Sequence, residues 1–150
     1  MRMVRICMIL ALGLIGTEAI AADEHAPRLL GVWNVSVAVR NCETGAIIRN
    51  LRALNLFVRD GSMSETSTNI LRGPSVGEWQ HVEGDTYASM FEFFRFNADG
   101  TFASTARVIR TIELSKDGTE FTSTGTVEDF NADNVRISVG CSTETAARAR

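Results

Sequence analysis

The chain has 150 residues, 45% apolar and 22% charged, with a formal net charge of −3. That length fits one domain with its own core, and the composition excludes wholesale disorder. Of the 15 basic residues 14 are arginine, scattered among 18 acids, so there is no basic stripe to follow a nucleic-acid backbone.

Residues 1–21 read as an export signal. Arg2 and Arg5 precede an apolar run from Ile6 to Ile15, and Ala19 and Ala21 stand at the −3 and −1 positions of a cleavage site after Ala21. The run of about ten residues falls short of the roughly 18–20 that cross a bilayer, and no later segment approaches that length. The expectation is a periplasmic or secreted protein without a membrane span. Cys7 lies before the apolar run and is read as part of the signal. Removing residues 1–21 leaves 13 basic and 17 acidic side chains, a net charge of −4. Residues 22–29 are then a flexible N-terminal arm, 30–145 the folded domain, and 146–150 a tail.

From Leu30 onward apolar residues alternate with polar ones at period two, and no window of useful length carries helical spacing. Strands are expected near 32–41, 47–58, 62–69, 77–82, 86–97, 101–114, 119–130 and 134–142. Asp60-Gly61, Asp99-Gly100 and Asp117-Gly118 sit between alternating runs, the strongest short-range signal for a hairpin. Two-residue turns match apolar faces across neighbours: Leu114 meets Phe121, Val108 meets Val127, Phe91 meets Val108, and Glu92 meets Arg107 on the other face. Continued along the chain, this register turns inward Trp33, Val35, Val37 and Val39; Leu54, Leu56 and Val58; Tyr87, Phe91 and Phe93; Phe102, Val108, Ile112 and Leu114; Phe121 and Val127; and Ile137 and Val139.

About eight antiparallel neighbours with one apolar face bury it by closing on themselves. The expected fold is all-β, a single up-and-down antiparallel barrel of about eight strands. Such a barrel is wide enough for side chains or one small ligand. Small inner positions (Ser89, Ser104, Ala106, Ser123, Gly125) leave room inside; the alternative is a tapered barrel packed solid around its aromatics.

Three charges also fall inward in this register: Arg52 opposite Val37, Glu65 opposite Leu56, and Arg110 beside Ser89 and Gly125. Buried charge requires a partner. One reading is an internal pair of Glu65 with Arg52 or Arg110; the other leaves an arginine, with Tyr87, to receive a ligand carboxylate. The candidate ligand-binding set is therefore Arg110, Tyr87, Arg52, Glu65, Trp33, Leu56, Phe91, Phe93, Val108 and Ile112.

The Gly31-Val32-Trp33 opening of the first strand resembles the Gly-x-Trp signature of lipocalins and related calycins. That resemblance implies a ligand-carrying barrel whose Trp plugs the closed end beneath an arginine from near the last strand, here Arg148 or Arg136. The segments Asn41-Cys42-Glu43-Thr44-Gly45, Phe91 to Gly100 and Gly140-Cys141-Ser142-Thr143-Glu144 resemble a group of uncharacterised secreted bacterial proteins.

Catalytic chemistry is thinly provided. His81 is the only histidine in the folded domain, no nucleophile elbow accompanies it, and neither it nor His25 stands at ligand spacing from a cysteine, so no enzyme activity, metal or cofactor is expected. The function expected is an exported carrier of a small hydrophobic or amphipathic ligand. The alternatives are a protein-binding barrel, such as a protease inhibitor that inserts residues 22–29, and a cyclase-like barrel enzyme.

Cys42 and Cys141 are expected to form a disulfide, as an even count in an oxidising compartment favours. Geometry opposes it. With an even number of through-going strands, the ends of the first and last strands lie at opposite rims, about 25 Å apart, whereas a bridge needs Cα atoms within about 7 Å. Either the 77–82 segment does not run through, or the thiols are unpaired.

Overall fold

A face of alternating apolar residues over eight strands is removed from water when the sheet rolls up and its first strand meets its last. The computed structural model describes residues 26–150; the expected signal peptide, Cys7 and His25 lie outside them. Strands β1 (Gly31–Arg40), β2 (Ile47–Phe57), β3 (Ser62–Ser67), β4 (Ser75–Glu83), β5 (Thr86–Phe96), β6 (Phe102–Leu114), β7 (Glu120–Phe130) and β8 (Arg136–Arg148) form one closed barrel. Each pairs antiparallel with the next, and β8 returns to β1. There is no α-helix among the described residues, and none long and apolar enough to cross a membrane.

The hairpins follow from their turn chemistry. Gly61, Gly100 and Gly118 take φ values of 86°, 83° and 71°, where a side chain would be strained. The preceding Asp60, Asp99 and Asp117 accept bonds from the hydroxyl and amide two residues on. These bonds, led by the Ser62, Thr101 and Ser115 hydroxyls respectively, hold the three carboxyls below the usual range, Asp117 at about 2.

Between β5, β6 and β7 the expected register is the observed one: Phe91 pairs with Val108, Glu92 with Arg107, Val108 with Val127, and Leu114 with Phe121. The turns that produce it are longer than two residues. The β6–β7 turn closes with Ser115 N donating to Glu120 O, a four-residue loop that leaves the pairing unchanged. The β5–β6 turn closes with Asn97 N donating to Thr101 O. That loop has three residues, and a bulge between Arg95 and Phe96 restores the register. The same bulge puts Phe102 on the outside, where it packs edge-on against Phe94, correcting its inward assignment.

On β2 the expectation is reversed. Val58 N donates to Ser62 O around a three-residue loop with no bulge after it, and a bulge between Val39 and Arg40 shifts the other side. Val37 therefore faces Leu51, and Glu65 faces Asn55. One residue of slip turns over every side chain of the strand. Leu54, Leu56 and Val58 are exposed, as is Arg52, while Ala53, Asn55 and Phe57 are buried. On β8 the pairing of Val127 with Gly140 sends Ser142, Glu144 and Ala146 inward and leaves Ile137 and Val139 more than half exposed.

One end of the barrel is filled. Leu29, Trp33, Val35, Phe57, Tyr87 and Ile112 are all at most 2% exposed. Ring contacts run from Trp33 to Phe121 (4.9 Å), Phe121 to Phe57 (6.3 Å), Phe57 to Trp79 (6.0 Å) and Trp79 to Tyr87 (5.9 Å). The arginine over Trp33 is Arg148, its guanidinium 4.4 Å from the ring; Arg136 stands at the opposite rim with Glu128. Arg148 donates to the carbonyls of Gly118 (2.7 Å), Leu30 (2.7 Å) and Arg28. Residues Ala26–Leu29, expected as the last part of an arm, form a 3-10 turn here. Leu29 is buried and its carbonyl accepts from Trp33 Nε1, while Arg28 bonds Asp85 and the carbonyls of Ser115 and Lys116.

The Cys42–Cys141 disulfide is present, with Cα atoms 5.1 Å apart, and the barrel keeps eight strands. Neither proposed way out of the geometric conflict is the one realised. β8 runs to Arg148, six residues past its expected end at 142 and through most of the expected tail. Cys141 is thus near the middle of its strand, opposite Arg40, with Cys42 just beyond the end of β1. The bridge spans 99 residues of sequence, and a loop of that size is worth about 4–5 kcal/mol in the chain-entropy account. We expect the Cys42→Ala/Cys141→Ala double variant to lose about that much stability in urea unfolding; coincident unfolding curves would show that the bridge contributes nothing.

Candidate functional site

The other end of the barrel stays open over a cup lined by residues of seven strands and of the β3–β4 connection. Apolar walls come from Val37, Leu51, Phe91, Phe93, Val108 and Val127, and the enclosed space is about 50 Å3. A single water needs roughly 10–15 Å3 of such space and a drug-sized ligand roughly 300–1,000 Å3. The cup therefore suits a molecule of a few heavy atoms.

Its floor is a buried ion pair. Arg110 on β6 and Glu144 on β8 are 5% and 3% exposed, with Arg110 Nη2 2.9 Å from Glu144 Oε1. Two serines complete the knot. Arg110 Nη1 donates to Ser123 Oγ (3.2 Å) and Nη2 to Ser142 Oγ (3.0 Å), while the Ser123 hydroxyl donates to Glu144 Oε2 (2.7 Å). Ser123 and Ser142 are inner positions of β7 and β8, so the four groups meet because three neighbouring strands each turn a polar residue inward at one level. Gly125, opposite Arg110, makes the space: a Cβ there would lie 2.4 Å from the Ile109 carbonyl oxygen and 2.7 Å from Arg110 Cγ.

Above the floor, toward the mouth, a second pair closes part of the opening. Glu65 on β3 is 4% exposed and accepts from Arg72 Nη1 at 2.7 Å. Arg72 belongs to the irregular 68–74 connection, and its guanidinium lies 3.5 Å from the centre of the Phe93 ring. Arg95 approaches the same ring at 5.0 Å and donates to Asp129 Oδ1 at 2.6 Å. Burial first, and the Glu144 charge second, push the Glu65 carboxyl up, against the pull of Arg72 and Arg110. Burial lowers the Arg72 guanidinium, with Glu65 opposing. Several buried polar atoms have no hydrogen-bond partner among the described residues: Glu65 Oε2, Arg72 Nη2, Arg110 Nε and Glu144 Oε1, the last in ionic contact with Arg110, at the cup, and Ser89 Oγ and Asn55 Oδ1 elsewhere in the interior.

Of the residues expected to line a ligand site, the structure brings Arg110, Glu65, Phe91, Phe93 and Val108 to the cup. Trp33, Tyr87 and Ile112 are inside but belong to the filled end, where Tyr87 packs against Trp79 and against His81 at 5.1 Å. Arg52 and Leu56 are on the outer surface because of the slip in β2, so Arg52 is not a partner for Glu65. The observed pairs, Glu65 with Arg72 and Arg110 with Glu144, differ from both expected arrangements. Sequence reasoning missed Glu144 and Arg72. The alternation Ser142, Glu144, Ala146 against Thr143 and Thr145 was available to extend β8; nothing in the 68–74 segment marks Arg72.

Comparison with models of known protein families finds no match for this chain, and comparison with curated proteins finds none either. The site is therefore interpreted from its own geometry.

Removing one partner of a buried pair leaves an uncompensated charge at a cost of about 3–5 kcal/mol, whereas an exposed pair is worth at most about 1 kcal/mol. Glu144→Ala should therefore destabilise the barrel by several kcal/mol in urea unfolding. Arg107→Ala, which breaks the exposed pair with Glu92, should cost less than about 1 kcal/mol; equal effects would contradict the assignment of Arg110 to the interior. The raised Glu65 carboxyl adds a pH dependence. Native Glu65 keeps its proton to higher pH than the unfolded chain, so its contribution to stability is full below about pH 4.5, the ordinary value, and is lost as pH rises through the native one. In thermal unfolding followed against pH, Glu65→Gln should remove this decline.

Proposed function

We propose that this protein is an exported, lipocalin-like binding protein that takes a small amphipathic molecule into the open end of its barrel. The single observation that carries the reading is the cup itself, apolar at its walls and charged at its floor, with buried polar atoms of Glu65, Arg72 and Arg110 that have no hydrogen-bond partner among the described residues. Orphaned buried donors and acceptors are rare in native interiors, and those of Glu65, Arg72 and Arg110 lie together at the cup. A few convergent polar groups within apolar walls are what orients an amphipathic ligand.

Three further features support it. The opposite end is plugged by Trp33 beneath Arg148, which leaves one way in. The plug matches the arrangement that the Gly31-Val32-Trp33 resemblance implies. The disulfide suits an oxidising compartment, in keeping with the export signal expected over residues 1–21. Binding rather than catalysis is our reading, because the buried carboxylates and guanidiniums of the cup, Glu65 with Arg72 and Glu144 with Arg110, are held in ion pairs.

The test is native mass spectrometry of the protein purified from its own host, followed by amide-resolved NMR titration with short amphipathic molecules. We expect a co-purified small molecule, and shifts confined to Leu51, Phe91, Phe93, Val108 and Val127 around the cup, with Trp33 and Tyr87 unmoved. A protein that carries nothing and shows no shift with any probe would refute the proposal.

A further inference from the structure

We propose that the molecule taken by this cup is a small monocarboxylate, and that it binds by replacing Glu65 on Arg72 while Glu65 accepts a proton from solvent. This rests on the open end being the binding site and names the ligand class and control of that site.

The Arg72–Glu65 contact is half made. A guanidinium and a carboxylate can form two parallel bonds, yet Arg72 Nη1 alone reaches Glu65 Oε1, while Arg72 Nη2 and Glu65 Oε2 are buried without hydrogen-bond partners among the described residues. An incoming carboxylate free to orient can engage both Nη atoms. Glu65 is fixed by its strand, since its backbone amide and carbonyl bond the Ser75 hydroxyl.

Charge balance points the same way. Around the cup Arg49 from β2, Arg72 from the β3–β4 connection, Arg95 from β5 and Arg110 from β6 stand against Glu65 from β3, Asp129 from β7 and Glu144 from β8. Arg49 is exposed at the rim with no ion-pair partner among the described residues. The groups acting on Glu65 are Arg72, Arg110 and Glu144. A bare anion entering beside both Glu65 and Glu144 would be repelled. Once Glu65 is neutral the repulsion falls to that of Glu144 alone, which Arg110 already balances. The chemistry conserves charge: one anion and one proton enter together, the proton going to the Glu65 carboxylate.

Size and walls set the rest of the ligand. About 50 Å3 beneath Val37, Leu51 and Val127 admits a short aliphatic chain and excludes a long one while the Phe93 face is covered by Arg72. Because one proton enters with the ligand, a monoanion leaves the net charge of the cup unchanged.

The experiment is isothermal titration of the purified protein with butyrate, and with butanol and butylamine as matched probes, between pH 5 and 8, in buffers of different ionisation enthalpy. We expect butyrate to bind in preference to the other two, with uptake of up to one proton per molecule bound. Its affinity should weaken by as much as tenfold per pH unit across the range where Glu65 titrates. Glu65→Gln, which mimics the protonated side chain, should bind butyrate with no pH dependence and no proton uptake. Butyrate binding without proton uptake in the native protein would overturn the exchange while leaving the binding site standing. Preference for butylamine or butanol would overturn the ligand class. Failure of all three probes to bind would remove the proposed function with it. If Glu65→Gln does not fold, the proton count on the native protein decides alone.

Discussion

The ion pair between Arg110 and Glu144 sets the character of the barrel interior. It ties β6 to β8 across β7 and takes its remaining bonds from Ser123 and Ser142. It depends on Gly125 to leave the arginine stem a place to lie. An ion pair at this depth forfeits hydration that its mutual attraction only partly restores, so replacement by apolar side chains would give a simpler core. Its presence divides the lumen in two. Below it the aromatic rings meet; above it the walls must provide for charge, and the Glu65–Arg72 and Arg95–Asp129 pairs continue the polar arrangement to the mouth.

The two ends are held by different chemistry. At the filled end, arginines satisfy backbone carbonyls: Arg148 serves those of Arg28, Leu30 and Gly118, and Arg28 those of Ser115 and Lys116. Carbonyl acceptors do not titrate in the physiological range, and the one carboxylate among these contacts is Asp85, paired with Arg28. At the open end the corresponding contacts run between charged side chains, one of them a carboxyl raised by burial. The carboxyl that folding raises is at the end with the cup, whereas the turn carboxyls of Asp60 and Asp117 at the filled end are lowered.

The sequence made the fold legible where turn type and alternation agreed. Three hairpin strands with Phe91, Val108 and Phe121 on one side and Glu92 and Arg107 on the other leave a single consistent register, and four-residue or bulged three-residue turns preserve it. β2 was misread because Asp-Gly serves two- and three-residue turns equally, and its alternation, Leu54 and Leu56 against Ala53 and Asn55, favours the wrong face by hydrophobicity. β8 inverted the same rule: its largest apolar residues, Ile137 and Val139, face solvent, while Ser142, Glu144 and Ala146 face in. A polar interior is what alternation cannot report, since it makes both faces look alike. The floor of the cup was half visible as Arg110; its partner lay beyond the expected strand end, and Arg72 lies on a segment with no periodicity at all.

The seam between β1 and β8 joins the two ends of the described fold; the Leu30 carbonyl and the Arg148 guanidinium that meet there are 118 positions apart. Contacts of such separation are the slowest to form, because a long stretch of chain must be brought round before any of them rewards the search. The bridge from Cys42 to Cys141 lies on this seam, next to the pairing of Arg40 with Cys141. An oxidised chain is thus already a ring before it folds, with the two terminal strands held within a few residues of register. Oxidation before folding shortens the route to the barrel, while a reduced chain must close the same seam by diffusion.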